Sequence, residues 1–181
     1  LYEMYIFLTI VQIILLLLTG MDPFAALTLS FGTAGTGGFG VLNDSIASYP
    51  LASQAVITLF MILFGINFNV YYLVWSRKPL QALRHEEMRY YLGIIAGAVA
   101  LIAINVRGSF ASIFEAVHHV AFQVASVITT TGYSTVDFGQ WPEFSKFILV
   151  LLMFCGACAG STGGGIKVSR VIIMMKLVKN E

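Results

Sequence analysis

Residues 128–135 of this chain have the sequence ITTTGYST and lie between two long apolar segments. An earlier stretch, residues 33–40 with the sequence TAGTGGFG, occupies the same kind of position in the first half of the chain. A threonine-glycine-aromatic run that enters a bilayer and returns can present its backbone carbonyls to a dehydrated cation. Two such runs in one short chain therefore predict an ion pathway built from repeats.

The composition indicates a multispanning membrane protein. Of 181 residues, 58% are hydrophobic and only 10% are charged, against roughly 25% charged in an ordinary soluble domain. The net charge of +1 says nothing about partners, and no basic patch interleaved with aromatic residues suggests nucleic acid. Cys155 and Cys158 lie in an apolar run, which favours packing over redox chemistry. The chain lacks an initial Met and a signal-peptide pattern, so we expect a segment of a longer protein.

The apolar segments predict an all-α membrane fold with four spans and two shorter helices. The short helices, residues 23–33 and 110–127, each lead into one of the glycine-containing loops. In the first of them, Asp22 is a plausible N-cap and Pro23 suits the first helical position. The four spans are expected at residues 2–19, 51–75, 90–106 and 143–178.

Each half of the chain therefore has the same plan of span, short pore helix, glycine turn and span. We expect a first pore-loop repeat at residues 1–76, a polar connector at 77–89, and a second repeat at 90–181 with a broken final helix. Internal duplication of this kind is common in membrane transport proteins. The halves match when they are anchored on Gly38 and Gly132, each of which precedes an aromatic residue.

Lysine and arginine indicate the orientation. They are concentrated in the connector and in the C-terminal run, and only two accompany the glycine loops. We therefore expect a multi-pass protein of the plasma membrane, with the connector and C-terminal end in the cytoplasm and both loops outside. The connector residues are Arg77, Lys78, Arg84 and Arg89; the C-terminal ones are Lys167, Arg170, Lys176 and Lys179; those near the loops are Arg107 and Lys146.

Cation coordination would explain why two non-helical loops lie at membrane depth. An unpaired backbone group there costs several kcal/mol and is tolerated only inside protein or beside a wet cavity. Carbonyls can replace the hydration shell of a large cation, threonine can add a hydroxyl acceptor, and the preceding helix points its negative C-terminal end toward the site. The alternative is that the glycines only mark tight turns. The candidate cation ligands are Thr36, Gly37, Gly38, Thr130, Thr131 and Gly132.

Residues 156–167, with the sequence GACAGSTGGGIK, lie within the expected fourth span. Because each glycine costs about 1 kcal/mol in a helix interior, this run should break the helix and form a gate or a hinge. Lys167 is either a functional intramembrane residue or a side chain that extends to the membrane surface. The candidate gate residues are Gly156, Gly160, Ser161, Thr162, Gly163, Gly164, Gly165 and Lys167.

At these residues the chain resembles the Trk/Ktr/HKT superfamily of potassium transporters. Residues 122–126 leading into 129–135 resemble the third pore loop of the TrkH-type membrane subunit, and residues 158–168 resemble the intramembrane loop of that repeat. The first half, with Gly37, Gly38 and Phe39, resembles the second repeat. The resemblance covers the whole chain but only two of the family's four repeats.

The resemblance implies how the parts would work. In the family, one glycine per repeat shapes the filter. By their position before an aromatic residue, Gly132 and Gly38 would have this role here, with Gly37 as the alternative to Gly38. The intramembrane loop blocks the pathway below the filter and gates it. The family forms homodimers with a cytoplasmic nucleotide-binding regulatory subunit, which could contact the connector and the C-terminal end. The missing half of the pore would come from the remaining repeats of the same protein or from a second copy.

The sequence therefore predicts potassium uptake across the bilayer, passive through the filter, with no enzymatic step and no organic cofactor. One alternative is a carrier for another substrate that uses its broken helices for binding. Such a site would favour helix N-termini facing the substrate, whereas the short helices here direct their C-termini at the loops. A second alternative is a membrane assembly or sensor subunit that transports nothing.

Overall fold

The computed structural model describes residues 2–77 and 79–180. Leu1, Lys78 and Glu181, which fall within the predicted repeats and connector, lie outside the described residues. The described chain forms helices and loops, and its pairing of extended residues is limited to isolated bridges. The first repeat contains helices α1 (Tyr2–Leu18), α2 (Pro23–Ala34), α3 (Leu51–Phe64) and α4 (Phe68–Trp75). Helix α5 (Pro79–Leu83) follows, and the second repeat contains α6 (Glu86–Val106), α7 (Ile113–Ile128), α8 (Glu143–Phe154) and α9 (Val168–Asn180).

The short helices α2 and α7 lie at the centre of their repeats. Helix α2 packs between α1 and α3, while α7 packs against α6, α8 and also α3. Contact between α3 and α7 joins the two repeats. A buried cluster at this junction includes Leu29, Ile57, Met61, Phe122 and Tyr133, all with no exposed surface. The core therefore surrounds the ends of α2 and α7, where both glycine loops begin.

The expectation of one continuous span over residues 51–75 is wrong. The segment breaks after Gly65, and the axes of α3 and α4 differ by 90°. Helix α4 starts directly after Asn67, because the side-chain oxygen of Asn67 accepts a hydrogen bond of 2.9 Å from the backbone N–H of Asn69 and caps the helix. A Cβ at Gly65 would overlap the hydroxyl of Tyr91, so the close approach of α6 also depends on this glycine.

The third span begins earlier than expected. Helix α6 starts at Glu86 rather than at Tyr90, so four residues assigned to the polar connector belong to its first turn. Two glutamates suit this position because the helix N-terminus carries a partial positive charge. The predicted connector also contains the short helix α5. In the region of the expected fourth span, α8 and α9 are separated by residues 155–167.

Only one helical segment in the described chain, Glu86–Ser109 with 24 residues, is long and apolar enough to cross a membrane by itself. The bent pair α3–α4 would be a second if it is counted as one broken span. Helices α1, α2 and α7 are apolar but shorter, with 17, 12 and 16 residues. Of the four spans expected from the sequence, α6 is therefore the one that meets this length criterion by itself among the described residues, whereas α1 and α8, with 17 and 12 residues, do not.

Candidate functional site

Each short helix is fixed at its start by a side-chain cap. The Asp22 carboxylate accepts hydrogen bonds from the N–H groups of Phe24 and Ala25 at 3.0 and 3.3 Å, and Pro23 is the first helical residue, as predicted. At the start of α7, the Ser112 hydroxyl accepts a hydrogen bond from the N–H of Glu115 at 3.1 Å. These caps determine where each helix starts and, with its length, where its last carbonyls lie.

The two glycine loops leave their helices through the same turn. The N–H of Gly37 donates to the carbonyl of Gly32 at 2.7 Å, and the N–H of Thr131 donates to that of Ser126 at 2.9 Å. Two further backbone hydrogen bonds recur at matching positions, donated by Gly35 and Thr36 in one loop and by Thr129 and Thr130 in the other. The repeat expected from the general plan is therefore present at the level of individual hydrogen bonds.

The backbone conformations repeat in the same way. Thr36 and Thr130 have φ values of +51° and +58°, and Gly38 and Gly132, two residues later, have +67° and +92°. A positive φ is unusual for a β-branched residue and is found where the surrounding structure enforces it. Glycine adopts it without a steric penalty. Gly38, rather than Gly37, is therefore the structural equivalent of Gly132.

The two loops touch each other at these residues. A Cβ on Gly38 would overlap the carbonyl oxygen of Thr131, while a Cβ on Gly37 would come no closer than 3.4 Å to another residue, the ring of Phe39. A Cβ on Gly32 would overlap the hydroxyl of Tyr133, which donates to the carbonyl of Leu29 at 3.3 Å. The loops can therefore approach each other only with glycine at positions 32 and 38.

The glycine-rich loop, defined here as residues 156–165, lies against both of these loops. The Thr36 hydroxyl donates to the carbonyl of Thr162 at 3.3 Å, and the Thr130 hydroxyl accepts from the N–H of Gly164 at 2.7 Å. A Cβ on Gly163 would be 3.1 Å from the carbonyl oxygen of Thr129. The same threonine of each repeat thus holds the loop by a side-chain hydrogen bond.

The other side of the glycine-rich loop rests on the break between α3 and α4. The N–H of Cys158 donates to the carbonyl of Gly65 at 3.0 Å, and the N–H of Phe68 donates to that of Gly160 at 3.2 Å. The loop closes on itself through the N–H of Gly156, which donates to the carbonyl of Ile166 at 2.8 Å. It is therefore a folded loop that contacts both repeats.

Lys167 turns back onto this loop. Its ammonium group donates a hydrogen bond to the carbonyl of Gly163, and the side chain is partly buried. Of the two interpretations left open by the sequence, this contact favours a role within the loop over extension to the membrane surface. Ser161 also binds within the loop, through a hydrogen bond from its hydroxyl to the carbonyl of Cys158 at 2.6 Å.

Two residues of this region were missed by the sequence reasoning. Glu87, assigned to the polar connector, is only 7% exposed and contacts the glycine-rich loop, and Asn67, assigned to the interior of a span, is 8% exposed and contacts Glu87. Nothing in the local sequence marks these two positions as partners. The only local hint was the pair Glu86–Glu87 directly before an apolar run.

Within the described residues, no group of three or more His, Cys, Asp or Glu side chains is placed to hold a metal ion. The polar groups that crowd the two loops are backbone carbonyls and N–H groups together with threonine and serine hydroxyls. The Thr129 and Thr131 hydroxyls bond each other at 2.8 Å, and Thr129 also donates to the carbonyl of Ala125. Any cation held here would therefore meet backbone oxygen atoms rather than carboxylates.

The architecture is a tandem repeat of long helix, short helix, glycine loop and broken helix, and it matches a known transporter fold. The crystal structure of the potassium transporter TrkH from Vibrio parahaemolyticus superposes with a TM-score of 0.91 and 29% identity, covering 96% of this chain and 38% of that one. The family model described as TrkH, cation transport protein, matches residues 1–181, and the chain belongs to this family.

Curated relatives agree with this placement. The Trk system potassium uptake protein TrkH of Halomonas elongata is 31% identical over 179 residues, which is 97% of this chain and 37% of the relative. The Trk system potassium uptake protein TrkG of Escherichia coli is 33% identical over 187 residues, covering 98% of this chain and 37% of the relative. The chain thus spans somewhat more than a third of the length of these relatives.

Proposed function

We propose that this chain forms two repeats of a potassium uptake pathway, in which ions pass the two glycine loops. The observation that carries the proposal is the recurrence of one strained turn, with its hydrogen bonds and positive φ values, at two places that touch each other. A strained turn kept in both repeats is typical of a functional site. The relatives named as potassium uptake proteins support potassium as the ion.

Backbone carbonyls are the proposed ligands. Thr36, Gly37 and Gly38 in one loop, with Thr130, Thr131 and Gly132 in the other, would provide them. The hydroxyls of Thr36 and Thr130 bond the glycine-rich loop, and the backbone carbonyls of the same residues remain available as ligands. Because α2 and α7 end at these loops, the negative ends of their dipoles would also favour a cation. This polarity counts against the carrier for an anionic substrate.

The glycine-rich loop is the proposed gate. It contacts Thr36 and Thr130 directly and fills the space between the two repeats, so an ion leaving the loops would meet it next. Gly156, Gly160, Gly163, Gly164 and Gly165 allow the chain to fold into this space. Ser161, Thr162 and Lys167 belong to the same element. Opening would require the loop to lose the threonine contacts.

The remaining parts of the pathway are also proposals. We infer a plasma-membrane protein with the filter loops outside and with residues 77–89 and the C-terminal end in the cytoplasm. Two further repeats, from the rest of the protein or from a second copy, would complete the ring, and a nucleotide-binding regulatory subunit would act from the cytoplasmic side of a homodimer. Potassium is the transported substrate, and no chemical reaction is part of the proposed function.

The test is uptake of rubidium and sodium by potassium-uptake-deficient cells that carry the full-length protein. Gly132→Ser places a side chain on a backbone with φ of +92°, which L-residues rarely adopt, although nothing lies within 4 Å of the added Cβ. We expect wild-type cells to take up rubidium and the variant to gain sodium uptake relative to rubidium. Unchanged selectivity, with equal protein in the membrane, would remove the filter assignment. Uptake of a different substrate, without any uptake of rubidium, would favour the carrier.

A further inference from the structure

The buried carboxylate of Glu87 joins three separate elements. One oxygen, Oε1, accepts hydrogen bonds from the N–H of Ala159 in the glycine-rich loop at 2.6 Å and from the N–H of Ser169 in the first turn of α9 at 3.2 Å. The other oxygen, Oε2, accepts a hydrogen bond from the side-chain amide of Asn67 at 3.2 Å. One side chain thus links the loop, α9 and the cap of α4.

Three helix N-termini meet at this carboxylate. Glu87 lies in the first turn of α6, Ser169 lies in that of α9, and Asn67 caps α4. The partial positive charges of helix N-termini favour an anionic group between them. Removing one partner of a buried, charged hydrogen-bond network leaves the other groups unsatisfied, and this costs more than the loss of an exposed contact. Glu87 is therefore the position at which these elements depend most strongly on one another.

The neighbouring glutamate makes a different kind of contact. Glu86 is exposed and forms an ion pair with Lys176, further along α9, with a nitrogen–oxygen distance of 2.6 Å. An exposed pair of this kind contributes about 0–1 kcal/mol. Glu86 thus provides a matched carboxylate that touches the same helix without contacting the glycine-rich loop.

We propose that Glu87 is a positioning residue that holds the glycine-rich loop in its blocking position and couples this loop to α9. Because Ala159 and Ser169 share one carboxylate oxygen, a displacement of α9 from the cytoplasmic side breaks the arrangement that anchors the loop. This coupling through Glu87 rests on the proposed function, because it explains how the proposed gate would be held closed. A cytoplasmic partner would then open the gate by displacing α9, which acts on the loop through Glu87 of α6.

Cys158 provides a native reporter that does not depend on ion flux. Its side chain has no exposed surface and lies directly before Ala159. In the full-length protein with Cys158 as the single cysteine, a water-soluble methanethiosulfonate reagent should modify Cys158 about tenfold faster after Glu87→Gln, because the amide cannot accept all three hydrogen bonds. Asn67→Ala removes the contact to Oε2 and the cap of α4 but leaves both hydrogen bonds to Oε1, so it should give a smaller increase. Glu86→Gln should leave the rate unchanged.

A second reporter separates release of the loop from general unfolding. Ala98 is buried in α6, the helix that carries Glu87, and a cysteine placed there in a protein without Cys158 should remain protected in every variant. Equal modification of both reporters, or an unchanged Cys158 rate in Glu87→Gln and Asn67→Ala, would overturn the proposal. If Glu87→Gln does not reach the membrane, the Cys158 modification rate in Asn67→Ala decides whether Glu87 anchors the loop.

Rubidium flux in proteoliposomes without a regulatory partner completes the test. Glu87→Gln should raise this basal flux relative to wild type and Glu86→Gln. If wild-type protein conducts no rubidium under any condition, the proposed function fails, while the Cys158 rates still decide whether Glu87 anchors the loop. Faster modification of Cys158 without a rise in flux in a conducting protein would contradict the coupling to the gate.

Discussion

The hydroxyl oxygen of Thr130 accepts a hydrogen bond of 2.7 Å from the backbone N–H of Gly164. Thr130 belongs to one of the two loops proposed to select the ion, and Gly164 belongs to the loop proposed to gate it. Thr36 makes the equivalent contact from the first repeat, to the carbonyl of Thr162. The proposed filter and the proposed gate are thus in direct contact, so a conformational change in one alters the hydrogen bonds of the other.

Replacing Thr130 with valine should weaken this contact. Valine retains the β-branched shape and removes the hydroxyl, leaving the N–H of Gly164 without its partner at a cost of about 1 kcal/mol. We expect basal rubidium flux of the full-length protein to rise about fivefold. Thr36→Val should have a smaller effect because its bond is longer, at 3.3 Å.

Thr28→Val serves as the control for this series. Thr28 is half-buried, and its hydroxyl bonds within its own helix, to the carbonyl of Phe24. Its removal should leave flux unchanged. Equal flux in wild type, Thr130→Val and Thr28→Val would show that the threonine contact does not restrain the loop.

Adjacent glycines in the first loop should respond differently to alanine. Gly38→Ala would force a Cβ onto the carbonyl of Thr131 and would strain a backbone at φ of +67°. Gly37→Ala meets only an ordinary contact of 3.4 Å with Phe39. We expect Gly38→Ala to lose at least about fivefold in rubidium uptake, since overpacking typically costs 1–3 kcal/mol, and Gly37→Ala to stay close to wild type.

The measurement is initial uptake normalised to protein in the membrane. Loss of uptake in Gly37→Ala with normal uptake in Gly38→Ala would reverse the assignment of the filter glycine. Similar losses in both variants would mean that spacing in the loop, rather than its contact with Thr131, controls uptake.

Shortening the glycine-rich loop should open the pathway. Deletion of residues 159–164 removes the groups that bond Thr36, Thr130 and Glu87. We expect higher rubidium flux than in wild type, measured in proteoliposomes without a regulatory partner. Flux at the wild-type level from a correctly inserted deletion protein would contradict the role of this loop as the gate.

The cap of α2 should contribute to stability. Asp22→Ala removes the acceptor for the N–H groups of Phe24 and Ala25 and should reduce the free energy of unfolding by about 1 kcal/mol. Asp22→Asn keeps an acceptor oxygen and should lose less. Thermal unfolding of the detergent-solubilised full-length protein would compare the three. An equal midpoint for all of them would show that the cap is not needed to start the helix.

Features governed by neighbouring residues could be predicted from the sequence. The start of α2 at Pro23 follows from the Asp22 cap, because capping is a contact between residues two or three positions apart. The break between α8 and α9 follows from the density of glycine in residues 156–165, which no helix tolerates well. The end of α6 at Val106 follows from Arg107, Gly108 and Ser109, which interrupt the apolar pattern and form a 3-10 turn.

The break between α3 and α4 shows where local reasoning fails. Gly65 lies in a long apolar run, and an isolated glycine there is compatible with an unbroken helix. The decisive facts are the cap formed by Asn67 and the hydroxyl of Tyr91, which packs where a side chain at Gly65 would lie. Tyr91 comes from a different helix, so its position relative to Gly65 depends on how α3 and α6 pack.

The amino-acid sequence by itself determined the membrane class, the two repeats, the positions of the glycine loops and the break before α9, because composition and local backbone preference act over a few residues. Only the tertiary structure decided that Gly38, rather than Gly37, is the equivalent of Gly132, that Thr36 and Thr130 both bond the glycine-rich loop, and that Glu87 is buried. These contacts join residues as far as 126 positions apart. Such partners are brought together by helix packing, and no local preference encodes the distance between them.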